Sequence, residues 1–442
     1  MLIAPQLSHD AIWKQRFRAE RRFATLASHD PDRGLVASNR SGRFQLYAWD
    51  VPTGRLSQIT DRPAGTIFGQ IAPNGEWIYF LDDTEGDEIG HYVRFPWSGG
   101  APQDLTPTLP PHAMGSIGAS ASGSRLGLTV PGPAGFDFYV LNQEHGGSVD
   151  EPRLLHRSAT LATGPVFSHD GETAVWAVAR EGKLALGLLA FDPETGEKIA
   201  ELWEGEDGSI EPGSFSPRSG DSRMLATTDR SGAARPLLWN PRSGRRIDLS
   251  LDELEGDIQA WAWSPDAAQI LVCQIRRAAQ RLWLYNVAGG ELRPLAHPEG
   301  TFSRASFLAN GDIAVQWQDS TQADQVIVLD AQTGEQKAVV LPAASVPPGR
   351  PWQSVTFPSA DGTEIQAWVA TPEDKGPHPT ILHTHGGPTA VQLNVFMPDG
   401  QAWLDHGFAF CSVNYRGSTT FGRDFERKIW GNLGHWEVED MV

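Results

Sequence analysis

The sequence predicts an all-β seven-bladed propeller followed by the start of an open α/β sheet. Three observations carry this: two series of turns share one period, a proline-rich break follows them, and the pattern then changes from short hairpins to strand–helix–strand. The first series places a polar, Gly-containing turn before a strand, at Asp32-Arg33-Gly34, Asn74-Gly75, Ser122-Gly123, Asp170-Gly171, Ser219-Gly220, Asp266-Ala267 and Asn310-Gly311. The second runs Thr53-Gly54, Gly99-Gly100, Gly146-Gly147, Thr195-Gly196, Ser243-Gly244, Gly289-Gly290 and Thr333-Gly334, with steps of 46, 47, 49, 48, 46 and 44 residues. Between the turns lie alternating or β-branched runs such as "RFQLYAWDV", "RLWLYNVAGG" and "DQVIVLDAQTG". Several short strands in about 45 residues are the pattern of one propeller blade. A run of unrelated hairpins has no reason to keep two series in step.

Taken in order, residues 1–25 read as an N-terminal helical segment: "SHDAIWKQRFRAERRF" has helical spacing, and Ser8 is its expected N-cap. Residues 26–345 are the propeller, ending in "LPAASVPPGRP", a domain boundary by composition. Residues 346–442 begin with "WQSVTF" and "EIQAWVA" around the turn "SADGT", an expected antiparallel hairpin. Then come the strand "TILHTH", the turn Gly386-Gly387-Pro388, and a helical stretch around "DGQAWLDHG". The apolar strand "FAFCSVN", the loop "YRGSTTFG" and the helical "RDFERKIWGN" complete the opening of an open α/β sheet.

Composition narrows the setting. Hydrophobic residues make up 40%, enough for a globular body, and 46 Gly with 32 Pro suit many turns. The excess of 54 Asp+Glu over 36 Lys+Arg gives −18, which argues against nucleic-acid and anionic-membrane partners. Cys273 and Cys411 lie far apart in apolar runs, so a reducing, cytoplasmic location is expected rather than a disulfide framework. No basic, apolar leader opens the chain, and no run of about 18 apolar residues offers a membrane span.

"HTHGGPT", "NYRGSTTFGRDF" and the closing "GHWEVEDMV", behind seven blade-like repeats, resemble the prolyl oligopeptidase family of serine peptidases, in particular its acylaminoacyl-peptidase and dipeptidyl-aminopeptidase branch. The resemblance is specific over 352–442 and architectural over the repeats. It implies an α/β-hydrolase domain with a Ser–Asp–His triad, capped by a propeller that restricts access to short peptides, with the initial helix packed on the hydrolase domain. It also implies that Gly387 gives a backbone N–H to the oxyanion hole. His385, Gly386 and Pro388 then shape that turn, and Asn414, Tyr415 and Arg416 support it. A preorganised backbone donor of this kind is worth about 10²–10³ in rate.

Each motif has a plainer alternative. Gly386-Gly387-Pro388 could be an ordinary turn, and "NYRGS" a strand-to-helix turn. His383 and His385, at i and i+2, could begin a metal site, but a third ligand at suitable spacing is lacking, so no metal or cofactor is expected. The acidic run "DDTEGDE" (82–88) reads as a solvated hairpin tip, although the resemblance would let it bind a peptide amine.

One part of the family pattern is missing. No G-x-S-x-G occurs in the 442 residues, and 346–442 holds 97 residues against roughly 250 for a full hydrolase domain. The catalytic Ser, Asp and His are therefore expected beyond residue 442, with strand 408–414 left as a sheet edge and the chain inactive by itself. The expected partners are short peptide substrates and the remaining hydrolase-domain polypeptide, with a homo-oligomer open. A non-catalytic peptide-binding propeller and an esterase on the same scaffold stay as alternatives.

Overall fold

The computed structural model describes residues 2–83, 85–143, 147–249, 251–387 and 389–442. Among them seven consecutive antiparallel sheets span 22–58, 70–104, 116–158, 162–202, 210–248, 257–294 and 301–341. Each has four strands in chain order; the second gains a fifth short strand, His112–Ala113. These are the blades. The first repeat series forms the turn between first and second strands, the second series the turn between third and fourth, so both lie on one face of the propeller. Gly146 of the second series, like Thr84 of the acidic run and Pro388, lies outside the described residues.

The repeat has a local cause. In blade four Ser168 Oγ donates to Asp170 Oδ1 (2.7 Å), and both accept backbone N–H groups of the next strand, from Thr173 and Glu172. Gly171 closes the turn at φ 77°. Blade six repeats this with Ser264, Asp266 and Ala267, the alanine held at φ 56° where other blades place glycine. In the other series an Asp or Asn caps the turn: Asp192, Asn240 and Asp330 each accept backbone N–H groups two or three residues on.

Apolar clusters join successive blades. Trp176, Phe138 and Phe191 pack between blades three and four, and Trp239 sits with Val175 and Leu188 between four and five. The ring closes without strand exchange. Ala24, Leu26 and Trp49 of blade one pack on Ala314, Val326 and Leu341 of blade seven, while the Gln316 amide donates to the Arg22 carbonyl (3.0 Å) and accepts from the Ala24 N–H (3.3 Å).

Three expectations are corrected. The N-terminal helix covers only Ile12–Phe17, with Ala11 rather than Ser8 at its start and no side-chain cap. Arg22–Leu26 is already the first blade strand, because Phe23, Ala24 and Leu26 are drawn into register with Ala37, Val36 and Gly34. The helix lies against Pro398–Asp405, with Arg16 Nη1 on Asp405 (2.5 Å) and Nη2 on the Pro348 carbonyl (2.7 Å). The third correction concerns the sheet of 353–414, whose strand order is Gln353–Pro358, Glu364–Ala370, Ala409–Asn414, Thr380–Thr384. Strand 409–414 is therefore interior, as its nearly uniform burial requires, and Thr380–Thr384, with exposed Thr380, Leu382 and Thr384, is the edge. Among the described residues no helix is long and apolar enough to cross a membrane.

Candidate active site

Thr380–Thr384 and Ala409–Asn414 run parallel, so their carboxyl ends open on the same edge of the sheet, where α/β folds place ligands. The turns that follow are joined by a hydrogen bond from the Thr419 N–H to the Ala390 carbonyl (2.9 Å). Gly387 sits at φ 134°, and a Cβ there would come within 2.8 Å of the Thr389 nitrogen, so the turn requires glycine.

His385 is fixed on three sides. Its ring stacks on Tyr415 (centroids 4.6 Å, 15° between planes), its carbonyl accepts from the Tyr415 hydroxyl (2.7 Å), and its Nε2 lies 2.9 Å from Ser418 Oγ. Its Nδ1 faces the Gly386 carbonyl at 3.0 Å. Burial pushes the His385 imidazole below its usual pKa, which favours the neutral ring. The neutral tautomer that suits this geometry donates from Nδ1 to the Gly386 carbonyl and accepts at Nε2 from Ser418. Ser418 has one proton for two acceptors, since the Tyr415 carbonyl is also within 2.6 Å.

This clamp fixes a direction. In a trans peptide the C=O of one residue and the N–H of the next point oppositely. With the Gly386 carbonyl held toward the imidazole, the Gly387 N–H points away from it. That N–H has no hydrogen-bond partner among the described residues, and both glycines are exposed.

Asn414 anchors the chain beyond the turn. Its Oδ1 accepts from the Gln392 N–H (2.7 Å), and its Nδ2 donates to Gln366 Oε1 (2.5 Å) and the Gln392 carbonyl (3.0 Å). Arg416 departs from expectation. Its guanidinium bonds Asp440 (2.6 and 2.9 Å), Asp361 (2.5 Å) and Ser359 (3.0 Å) and lies over Trp436, not on the 385–387 turn. Tyr415 and Ser418 make the contacts expected of it. Bonds from Thr363 and then Arg416 hold the Asp361 carboxyl down at about 2.

The sequence reading missed Gln392 and Asp440, and it quoted Ser418 without giving it a role. Only the adjacency of "NYRGS" and "VEDMV" to the motif marked any of them. His383 bonds its own serine, Ser412 (2.9 Å), and no group of three or more His, Cys, Asp or Glu among the described residues is placed to hold a metal ion. In the acidic run, Asp83 folds the loop on itself by accepting N–H groups from Gly86 and Glu88 (both 2.6 Å), and Asp82 pairs with Arg62.

The propeller face opposite the repeat turns carries this sheet. The Arg423 N–H donates to the Gly232 carbonyl (2.8 Å), Arg277 pairs with Glu364 (2.6 Å), and Ser320 accepts from the Trp352 N–H (2.9 Å). The two-residue tip Arg277-Ala278, both at positive φ, seats Ala278 among Trp352, Trp368 and Phe410.

The chain resembles known proteins in part of its sequence and in its fold. The family model described as the prolyl oligopeptidase family matches residues 395–442. The acylamino-acid-releasing enzyme of Rattus norvegicus is 35% identical over 89 residues, 20% of this chain but only 12% of that protein. A crystal structure of puromycin hydrolase superposes with TM-score 0.79 at 21% identity, covering 100% of this chain and 73% of that one. An acylaminoacyl peptidase bound to a chloromethyl ketone gives TM-score 0.68 at 16% identity, covering 95% and 69%. The matched segment, 395–442, and the shared fold make the chain similar to the prolyl oligopeptidase family, and it spans only part of the length of those relatives.

Proposed function

We propose that this chain supplies the propeller cap and half the oxyanion hole of a serine-type peptidase that hydrolyses short peptides, releasing N-terminal acylated or free amino acids or dipeptides. The observation that carries the reading is the Gly387 N–H, without a hydrogen-bond partner among the described residues and held outward by the His385–Tyr415–Ser418 clamp. Such a donor stabilises the tetrahedral oxyanion of acyl transfer, and its benefit falls on the transition state. A propeller that only binds peptides has no use for it. The matched relative is named for releasing acylated amino acids, which supports the acyl-peptide side of the substrate range.

In this reading Gly387 is the catalytic contribution of the chain, and His385, Gly386, Asn414 and Tyr415 position it. The nucleophilic Ser, with its Asp and His, comes from hydrolase-domain polypeptide outside these 442 residues, which also covers the free edge Thr380–Thr384. The propeller admits short peptides and excludes folded proteins. The test uses that extended protein on an acylaminoacyl p-nitroanilide, a free aminoacyl p-nitroanilide, a decapeptide and a native protein. Cleavage of the small amides and the decapeptide with the native protein spared is expected. Equal rates on native protein and decapeptide would remove the size filter, and hydrolysis of p-nitrophenyl esters alone would make the protein an esterase.

A further inference from the structure

The propeller lumen holds a charge that nothing above explains. A cavity of about 350 Å³ lies between blades six, seven and one, walled by Thr25, Trp49, Trp261, Ser303, Arg304 and Ser306 among others. It shares Trp261, Ala305 and Ser306 with a cavity of about 460 Å³ that all seven blades line. Across both walls Arg304 is the one permanently charged side chain among the described residues. Its guanidinium donates to Thr25 Oγ1 (2.6 Å) and has no carboxylate within ion-pair distance among the described residues. This is unusual in a chain with 54 acidic residues and a net charge of −18.

The surroundings favour an anion. The cavity wall carries the hydroxyls of Thr25, Ser303 and Ser306 and no Asp or Glu. Trp49, in the same wall, has an indole N–H that is buried and lacks a hydrogen-bond partner among the described residues. Arg304 is exposed to the lumen yet enclosed by the ring of blades, and that enclosure pushes its pKa down by desolvation. A guanidinium so placed gains most from a carboxylate, which it can grip through two parallel hydrogen bonds.

We propose that Arg304 forms an anion subsite in the propeller lumen that binds the C-terminal carboxylate of a peptide whose N-terminal end lies at the Gly387 turn. This rests on the peptidase reading for the peptide's direction. An enzyme that cleaves near the N-terminus leaves the rest of the peptide to run onward, and in this fold the lumen is the space that receives it. The subsite sets a preference for oligopeptides with a free carboxylate and explains a cation retained in an acidic protein.

The experiment measures binding, so it is independent of hydrolysis. A tetrapeptide of Ala and Gly carrying an N-terminal fluorophore is titrated with the 442-residue chain by anisotropy. It is supplied as the free acid, as the C-terminal amide, and as an amide with one internal Glu. One charge-assisted contact predicts the acid to bind at least about tenfold tighter than either amide. Arg304→Gln should erase that difference, and Arg304→Lys should keep part of it. Equal affinity of acid and amide for the unmodified chain would overturn the proposal, a result that needs no variant to fold. An acid preference that survives Arg304→Gln would also overturn it, and so would a Glu-containing amide that binds as tightly as the acid. The peptidase reading fails by a different result, the absence of amide hydrolysis by the extended protein.

Discussion

Asp440→Asn is the sharpest test of how the site is braced. Asp440 is fully buried and accepts from the Arg416 backbone N–H (2.7 Å), from Nε (2.9 and 3.1 Å) and from Nη2 (2.6 Å). Asn keeps the shape but removes the charge and turns an amide N–H₂ toward a guanidinium that has only donors. Breaking a buried ion pair from one side costs about 3–5 kcal/mol, because the partner charge is left behind. Asp361 still pairs with Nη1, so the lower end, about 3 kcal/mol, applies. Apart from Ala278, the propeller and the 353–414 sheet have separate cores, so the readout should be local: amide hydrogen exchange over 409–418. A loss of about 3 kcal/mol accelerates exchange there about 100-fold while blades one to four stay unchanged. Replacing both partners, Arg416→Met with Asp440→Leu, should cost less than the two single changes added. Protection within threefold of the parent in Asp440→Asn would refute the bracing role.

The other predictions are shorter. Burial pushes the Asp324 carboxyl up from the ordinary 3.8 to about 7, beside Gln316 and Arg22 at the blade-seven to blade-one closure. The unfolded chain ionises near 4 and the folded chain only near 7, so this group costs stability as pH rises through that window, at most about 4 kcal/mol. Asp324→Asn should therefore raise the melting temperature at pH 8 more than at pH 5, and an equal shift at both would contradict the assignment. Ala278→Val puts a branched residue at φ 59° in a closed apolar seat and should cost more than about 2 kcal/mol in urea unfolding. Gly387→Val in the extended protein should lower kcat by about 10²-fold or more with KM nearly unchanged, and an unaltered kcat would remove Gly387 from the mechanism.

The propeller was legible because its period is written in turns whose chemistry is local. A Ser and an Asp two residues apart, or an Asp or Asn capping a Gly turn, fix geometry with no help from distant residues. The N-terminal helix was over-read because 8–23 has helical spacing, but Phe23 and Ala24 are claimed by a ladder that forms only when blade one folds. Strand 409–414 shows the same limit from the other side. It was expected at the edge, but strand order comes from the crossover, which puts it inside the sheet and Thr380–Thr384 at an edge. At the candidate site "HGG" and "NYRGS" fall on two neighbouring turns, joined through Thr419 and Ala390. The partner of Arg416 was misjudged because Asp440 and Asp361 are distant in sequence, so spacing says nothing of them.

The central claim is that these 442 residues hold an oxyanion turn and a gate for a nucleophile carried elsewhere. The direct measurement is hydrolysis of acetylalanyl p-nitroanilide, with fluorophosphonate labelling in parallel, by the chain with and without the downstream hydrolase-domain polypeptide. The account expects turnover and a single labelled serine with that polypeptide and neither without it. Turnover and serine labelling by the 442 residues alone would contradict it.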